Sequence, residues 1–164
     1  MTSSRAKPAR KDVHERALGL LAVRQRSRRE LERRLLAAGF DADEVADELE
    51  RLERVGLIDD EAFARAVAEQ AFTRRRSGRR AVASALSAKG VDPSVATAVL
   101  DDLGGEGDDE RADELARARA VRLAGVPPDK AFQRLSSFLM RRGHSPEAAR
   151  RAARQALDVD ASEA

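Results

Sequence analysis

Guanidinium groups are the chief chemical resource of this chain. Arg24, Arg26, Arg28, Arg29, Arg33 and Arg34 crowd one stretch, and Arg74, Arg75, Arg76, Arg79 and Arg80 another. Arginine presents a planar fork of donors that stays charged, so such runs suit bidentate pairing with phosphate or carboxylate better than a diffuse cationic field does. Lys89, Lys130, Arg141 and Arg142 extend the set of candidate contacts. Taken singly, each arginine also reads as a solvated helix face tied by i, i+4 pairs such as Glu30 with Arg34 and Arg28 with Glu32. The run from Arg74 to Arg80 fits that reading less well, because no acidic side chain inside it offsets five positive charges. It is expected to meet phosphates or a partner's carboxylates, and Arg79 and Arg80 are expected to be exposed.

Catalytic chemistry finds little to work with. His14 and His144 are the only histidines, and neither has a zinc-binding spacing such as HExxH. There is no cysteine, no P-loop and no G-x-S-x-G elbow. The carboxylates are plentiful, but nearly all of their positions predict polar helix faces, where burial cannot raise a pKa toward acid or base work. Gly104-Gly105-Glu106-Gly107 follows no strand pattern and reads as a linker rather than a phosphate cradle. These features predict a protein that is not an enzyme and that needs neither metal nor cofactor.

Composition narrows the classes further. The 164 residues are 42% apolar, enough for a shared core, and 37% charged with a net charge of only +2. Electrostatic function must then come from placement, and the charge alternates along the chain. Residues 1–34 carry eleven basic and four acidic side chains, residues 41–61 two and ten, residues 69–90 six and one, residues 92–114 one and nine, and residues 129–154 seven and two. The lack of cysteine excludes disulfide scaffolds and thiolate metal sites, and the lack of Trp and Tyr argues against a platform of stacked aromatics. No run of 18 apolar residues occurs, and the basic start at Arg5, Lys7, Arg10 and Lys11 is not followed by the apolar stretch of a secretory signal. The expectation is a cytoplasmic, monomeric protein with no membrane partner.

Ala, Leu, Arg and Glu dominate and period-two patterns are absent, so the fold class is all-α. Ser27 with Glu30, Asp41 with Glu44, Asp92-Pro93 and Ser145-Pro146 mark helix starts, and Gly39, Gly56, Gly90 and Gly143 mark stops. They delimit nine helices near 11–25, 27–38, 41–55, 59–76, 78–89, 92–103, 109–123, 128–142 and 146–157, each end within a few residues. Placing Gly39, Gly90 and Gly143 in register reveals three copies of one three-helix unit. Eight and four residues before the glycines stand Leu31 and Leu35, Val82 and Leu86, and Leu135 and Leu139. Six, ten and thirteen residues after them stand Val45, Leu49 and Leu52, then Ala96, Leu100 and Leu103, then Ala149, Ala153 and Ala156.

One such unit buries too little to be robust alone, so the predicted architecture is an elongated array of three tandem three-helix repeats, on the order of 60 Å long. Its expected parts are a flexible basic tail at 1–10, repeats at 11–58 and 59–103, a glycine-rich hinge at 104–108, a third repeat at 109–157 and a flexible tail at 158–164. The third repeat, built on alanine, is expected to have the thinnest core, to lean on Phe132, Phe138, Leu139 and Met140, and to be the least stable. Asp59, Asp60 and Glu61 fit a helix N-terminus, where the macrodipole favours anions.

Three stretches resemble the RecX family, bacterial modulators of the RecA recombinase: Gly56-Leu57-Ile58-Asp59-Asp60-Glu61-Ala62-Phe63-Ala64; Arg76-Ser77-Gly78-Arg79-Arg80 with Lys89-Gly90-Val91; and Phe138-Leu139-Met140-Arg141-Arg142-Gly143-His144-Ser145. The resemblance runs from about residue 14 to 157. His144 departs from the aromatic or apolar residue usual in the family, which is expected to loosen the junction of the last two helices. The resemblance implies a regulator that lodges in the groove of the RecA-DNA filament and limits filament growth, ATP hydrolysis and strand exchange. It also implies a role in recombination, DNA repair and the SOS response. The residues alone leave two other readings open, an independent helical module whose basic helices read or coat duplex DNA and a scaffold for another assembly; single- or double-stranded DNA is thus a candidate partner, with the scarcity of stacking aromatics arguing against strong single-strand affinity.

Overall fold

The computed structural model describes residues 12–104 and 107–162, and among them there is no strand. The helices are α1 Val13–Val23, α2 Arg28–Ala37, α3 Ala42–Arg54, α4 Asp60–Arg75, α5 Arg79–Ala88, α6 Pro93–Gly104, α7 Asp108–Ala120, α8 Pro128–Arg141 and α9 Pro146–Ser162, with one 3₁₀ turn at Val121–Leu123. Local chemistry sets their ends. Ser27, Asp41, Asp59, Asp92 and Ser145 each accept a backbone N–H at the start of a helix. At the other end, Gly39, Gly56, Gly90 and Gly143 all take positive φ, and the residue after each donates its N–H five residues back. The acceptors of these Schellman closures are Leu35, Leu52, Leu86 and Leu139. All four side chains are also in the core, so each stop signal is welded to a packing position.

By compactness the chain divides into two units, one through Phe63 and one from Ala64. The first unit packs Ala17 and Leu20 of α1, Leu31 and Leu35 of α2, and Val45, Leu49 and Leu52 of α3 around Ile58. Its α2 and the start of α4 are tied by Asp60, whose carboxylate accepts the Arg28 N–H at 2.8 Å. Burial outweighs that bond and pushes the Asp60 pKa up.

In the second unit, α4 to α6 bury Phe72, Val82, Leu86, Val91, Val99 and Leu100. The α7–α9 core is built on alanine, as expected, with Leu135 and Leu139 its large buried apolar side chains. Ala112, Ala116 and Ala120 of α7 meet Ala148, Ala149, Ala152, Ala153 and Ala156 of α9 over Leu135 and Leu139. Small side chains let the helix axes approach closely, so contact area replaces side-chain bulk. Phe132 and Phe138 pack on the margin of this cluster, whereas Met140 is exposed. α9 also continues to Ser162, beyond the expected end. The expected basic tail at 1–10 and Lys11 lie outside the described residues, as do Gly105 and Glu106 of the expected hinge and residues 163–164 of the other tail.

Within this unit the α4–α5 turn lies against the α8–α9 turn, backbone to backbone. Gly78 N–H donates to the Arg142 carbonyl at 2.9 Å and Arg80 N–H to the Gly143 carbonyl at 3.2 Å. A β-carbon on Gly78 would stand 2.3 Å from Gly143 and His144 backbone atoms, and one on Gly143 would stand 2.4 Å from Ala81. His144 fastens a different junction from the one between the last two helices, that of the α8–α9 turn with the α4–α5 turn. Its ring is 1% exposed, and Nε2 meets the Arg76 carbonyl at 3.0 Å. Its Nδ1 faces Asp108 at 3.5 Å, too long for a hydrogen bond. Burial acts to raise the Asp108 pKa, but His144 and Arg111 outweigh it and the pKa is lowered. The Arg111 guanidinium also covers the Phe72 ring at 4.3 Å, holding α7 on α4.

Leu35→Ala in the first unit and Leu86→Ala in the second should each cost roughly 2 to 5 kcal/mol, because both side chains are fully buried. Urea denaturation measures this, and an unshifted curve for either variant contradicts the repeat register.

Candidate functional site

The predicted arginines divide into those consumed by the fold and those facing outward. Glu30 is 6% exposed, and its Oε1 receives Arg24 at 2.5 Å, Arg26 at 2.5 Å and Arg34 at 3.1 Å. Arg26 is itself 7% exposed and donates from Nε to the Leu20 carbonyl, fixing the end of α1 to the loop before α2. Its assignment as a binding contact is therefore corrected: the guanidinium is buried and committed. Burial raises the Glu30 pKa, but hydrogen bonds from Arg24, Arg34 and Arg26 together win and hold it below the usual carboxylate value. Buried Glu48, 2.6 Å from His14, is a second inward carboxylate, and with Glu30 and the half-buried Asp60 it is an exception to the expectation that nearly all carboxylates keep to polar faces.

A shared register explains two more pairs. Arg28 and Arg79 open the second helix of their repeats, and each reaches toward the end of the third. Arg28 meets Glu53 at 2.5 Å, not the Glu32 expected from helical spacing. Arg79 meets Asp101 at 2.5 Å and the Leu100 carbonyl at 2.7 Å. Arg79 is thus half-buried and structural, contrary to its expected exposure. Arg76 meets Glu114 at 2.6 Å, so the charge of the second run is partly offset by carboxylates 22 and 38 residues away in sequence. Arg76 adopts φ 46°, a left-handed conformation that costs about 1 to 2 kcal/mol for a residue with a β-carbon. Its Glu114 ion pair and its carbonyl's contact with His144 oppose that cost.

The outward set is smaller. Arg29 and Arg33 stand exposed four residues apart on α2, and Arg74 and Arg75 on the last turn of α4; Arg80 is exposed on α5. None of these five makes an ion pair among the described residues. Arg29 and Arg80 occupy the same register position, next to the inward Arg28 and Arg79. Arg142 donates to the Arg75 carbonyl, so the third repeat brings Arg142 beside the run at 74–80. Lys89 is exposed at the end of α5 and Lys130 in the first turn of α8, and neither belongs to this group.

Reasoning from sequence missed Arg119, Arg122 and Arg134. With Arg141 they line a groove of about 520 Å³ between the α7 terminus and α8. The seven-residue spacing of Arg134 and Arg141 was the available signal. Among the described residues no three His, Cys, Asp or Glu side chains converge as metal ligands, and no helix is long and apolar enough to cross a membrane.

Replacing Glu30 by Ala leaves the buried Arg26 unpaired, and the loss expected is about 3 to 5 kcal/mol. Because the Glu30 pKa is lowered on folding, its contribution is complete above the ordinary carboxylate range and disappears as pH falls through the lowered value. Denaturation across acid pH should therefore be less steeply pH-dependent in Glu30→Gln than in the parent, and identical slopes contradict the cluster.

The sequence matches the RecX family's first, second and third three-helix domains over residues 14–52, 59–100 and 106–153. A regulatory protein RecX from Mycolicibacterium smegmatis is 42% identical over 132 residues, covering 78% of this chain and 70% of that one. Its namesake from Streptomyces coelicolor is 34% identical over 165 residues, covering 97% and 88%. The crystal structure of RecX from Lactobacillus salivarius superposes with a TM-score of 0.80 at 21% identity, covering 88% of this chain and 94% of that one, and supports the fold.

Proposed function

The chain belongs to the RecX family of regulatory proteins, and from that premise we propose that it binds the RecA-DNA filament and restrains filament extension, ATP hydrolysis and strand exchange. The observation that carries the proposal is the outward arginine register. Arg29 and Arg80 repeat at equivalent places in their repeats and, with Arg33, Arg74 and Arg75, are exposed and without ion pairs among the described residues. Charges left unspent by the fold are available for carboxylates of a protein lattice or for nucleic-acid phosphates. Such an action needs no chemistry on a substrate. A protein that binds one arrangement of filament protomers better than another shifts the filament equilibrium by its differential affinity. Because the contacts are charged, salt weakens the complex. A cytoplasmic, monomeric form and a role in recombinational repair belong to the same proposal.

The test is a titration of DNA-dependent RecA ATPase. The parent protein should suppress turnover at substoichiometric ratios. Arg29→Ala/Arg33→Ala/Arg80→Ala should melt as the parent does, since exposed substitutions usually change stability by less than about 0.5 kcal/mol. Its half-inhibiting concentration should rise by about tenfold or more, the equivalent of about 1.4 kcal/mol. No suppression by the parent at any ratio, or undiminished suppression by the folded variant, rejects the assignment.

A further inference from the structure

We propose that the groove between the end of α7 and α8 holds the phosphodiester backbone of a single nucleic-acid strand. This site is distinct from the α2 and α5 arginine register and does not depend on the recombinase reading. Four arginines line it, Arg119 and Arg122 from one wall and Arg134 and Arg141 from the other, and no carboxylate does. None of the four forms an ion pair among the described residues. What sets the four apart from the other outward arginines is that they line one groove together. Macrodipole complementarity accounts for cations in the last turns of α7 and α8, which covers Arg119 and Arg141. It leaves Arg122, beyond the end of α7, and Arg134, mid-helix in α8, without a structural reason.

The layout follows a linear polyanion. Arg134, Ser137, Phe138 and Arg141 share one face of α8, and Arg134 to Arg141 spans about 10 Å at 1.5 Å per residue. Ser137 and Gln133 supply neutral donors between the charges. Protein–protein affinity concentrates in a few anchors seated in well-packed, desolvated pockets. Here Phe138, the largest apolar lining residue, is half-buried and lies 5.0 Å beneath the Arg119 guanidinium. The groove therefore offers paired charge along a line with a covered apolar floor, which is the recognition chemistry of a backbone rather than of a side chain.

Fluorescence anisotropy of the full chain with a labelled mixed-sequence single-stranded DNA oligonucleotide tests this in the absence of RecA. Arg134→Ala/Arg141→Ala should keep the parent melting temperature and weaken binding by about tenfold or more. It should also flatten the dependence of log affinity on log salt by about 1.4, at about 0.7 for each phosphate no longer neutralised. Arg29→Ala/Arg33→Ala removes equal charge and should weaken binding less. A methylphosphonate oligonucleotide of the same sequence should not bind, and duplex DNA should bind more weakly. The proposal is overturned if the two double variants bind alike, if the neutral backbone or the duplex binds as well as the single strand, or if oligoglutamate displaces the strand at equal charge concentration. Running the RecA ATPase titration on the same samples separates the two readings. Suppression without strand binding removes only the groove, and strand binding without suppression removes only the recombinase assignment.

Discussion

Helix α5 begins without a side-chain cap, because Gly78 stands where the first repeat has Ser27. The first N–H groups of any helix need partners. In α2 the Ser27 hydroxyl supplies one, while in α5 the carbonyl of Gly143, from the turn of the next repeat, takes the Arg80 N–H. The approach that makes this bond leaves no room for a β-carbon at either glycine. One close backbone contact thus caps α5, docks the α8–α9 turn and sets the run at 74–80 beside Arg142. His144 and Arg76 close over the same junction, with the strain at Arg76 retained because its neighbours over-determine it.

The arginines then do two jobs that composition cannot separate. Inward ones, at Arg26, Arg28 and Arg79, stitch one helix to another and owe their ionic bonds to carboxylates that the fold delivers. Outward ones, at Arg29, Arg80, Arg134 and Arg141, carry charge that nothing nearby neutralises. Neighbouring residues alternate between these roles because adjacent side chains on a helix are about 100° apart. A surface built this way keeps a small net charge yet retains local fields strong enough to steer an anionic partner.

Much of the fold was legible because its signals are local. Caps at Ser27, Asp92 and Ser145 and stops at Gly39, Gly90 and Gly143 are short-range chemistry, and the leucines four residues before those glycines fall on buried faces by periodicity alone. The alanine stripe at Ala149, Ala153 and Ala156 was legible as a packing face, but its spacing says nothing of how closely the partner helix comes. The site was less legible for a related reason. Whether Arg79 or Arg80 is free depends on Asp101, and whether Arg76 is free depends on Glu114, each placed by tertiary structure. The α7–α8 groove needs two walls distant in sequence, and only the spacing within one wall could be read.

Hydrogen exchange at the Arg80 amide in a Gly78→Ala variant tests the backbone approach on which this arrangement rests, with Gly19→Ala as a control where a β-carbon meets nothing within 4 Å. The expected result is weakened protection at Arg80 and His144 in Gly78→Ala while Leu31 in the first unit keeps its protection, and no change in Gly19→Ala. Full protection of Arg80 in a Gly78→Ala protein of parental stability contradicts the close backbone approach and the arginine surface it assembles.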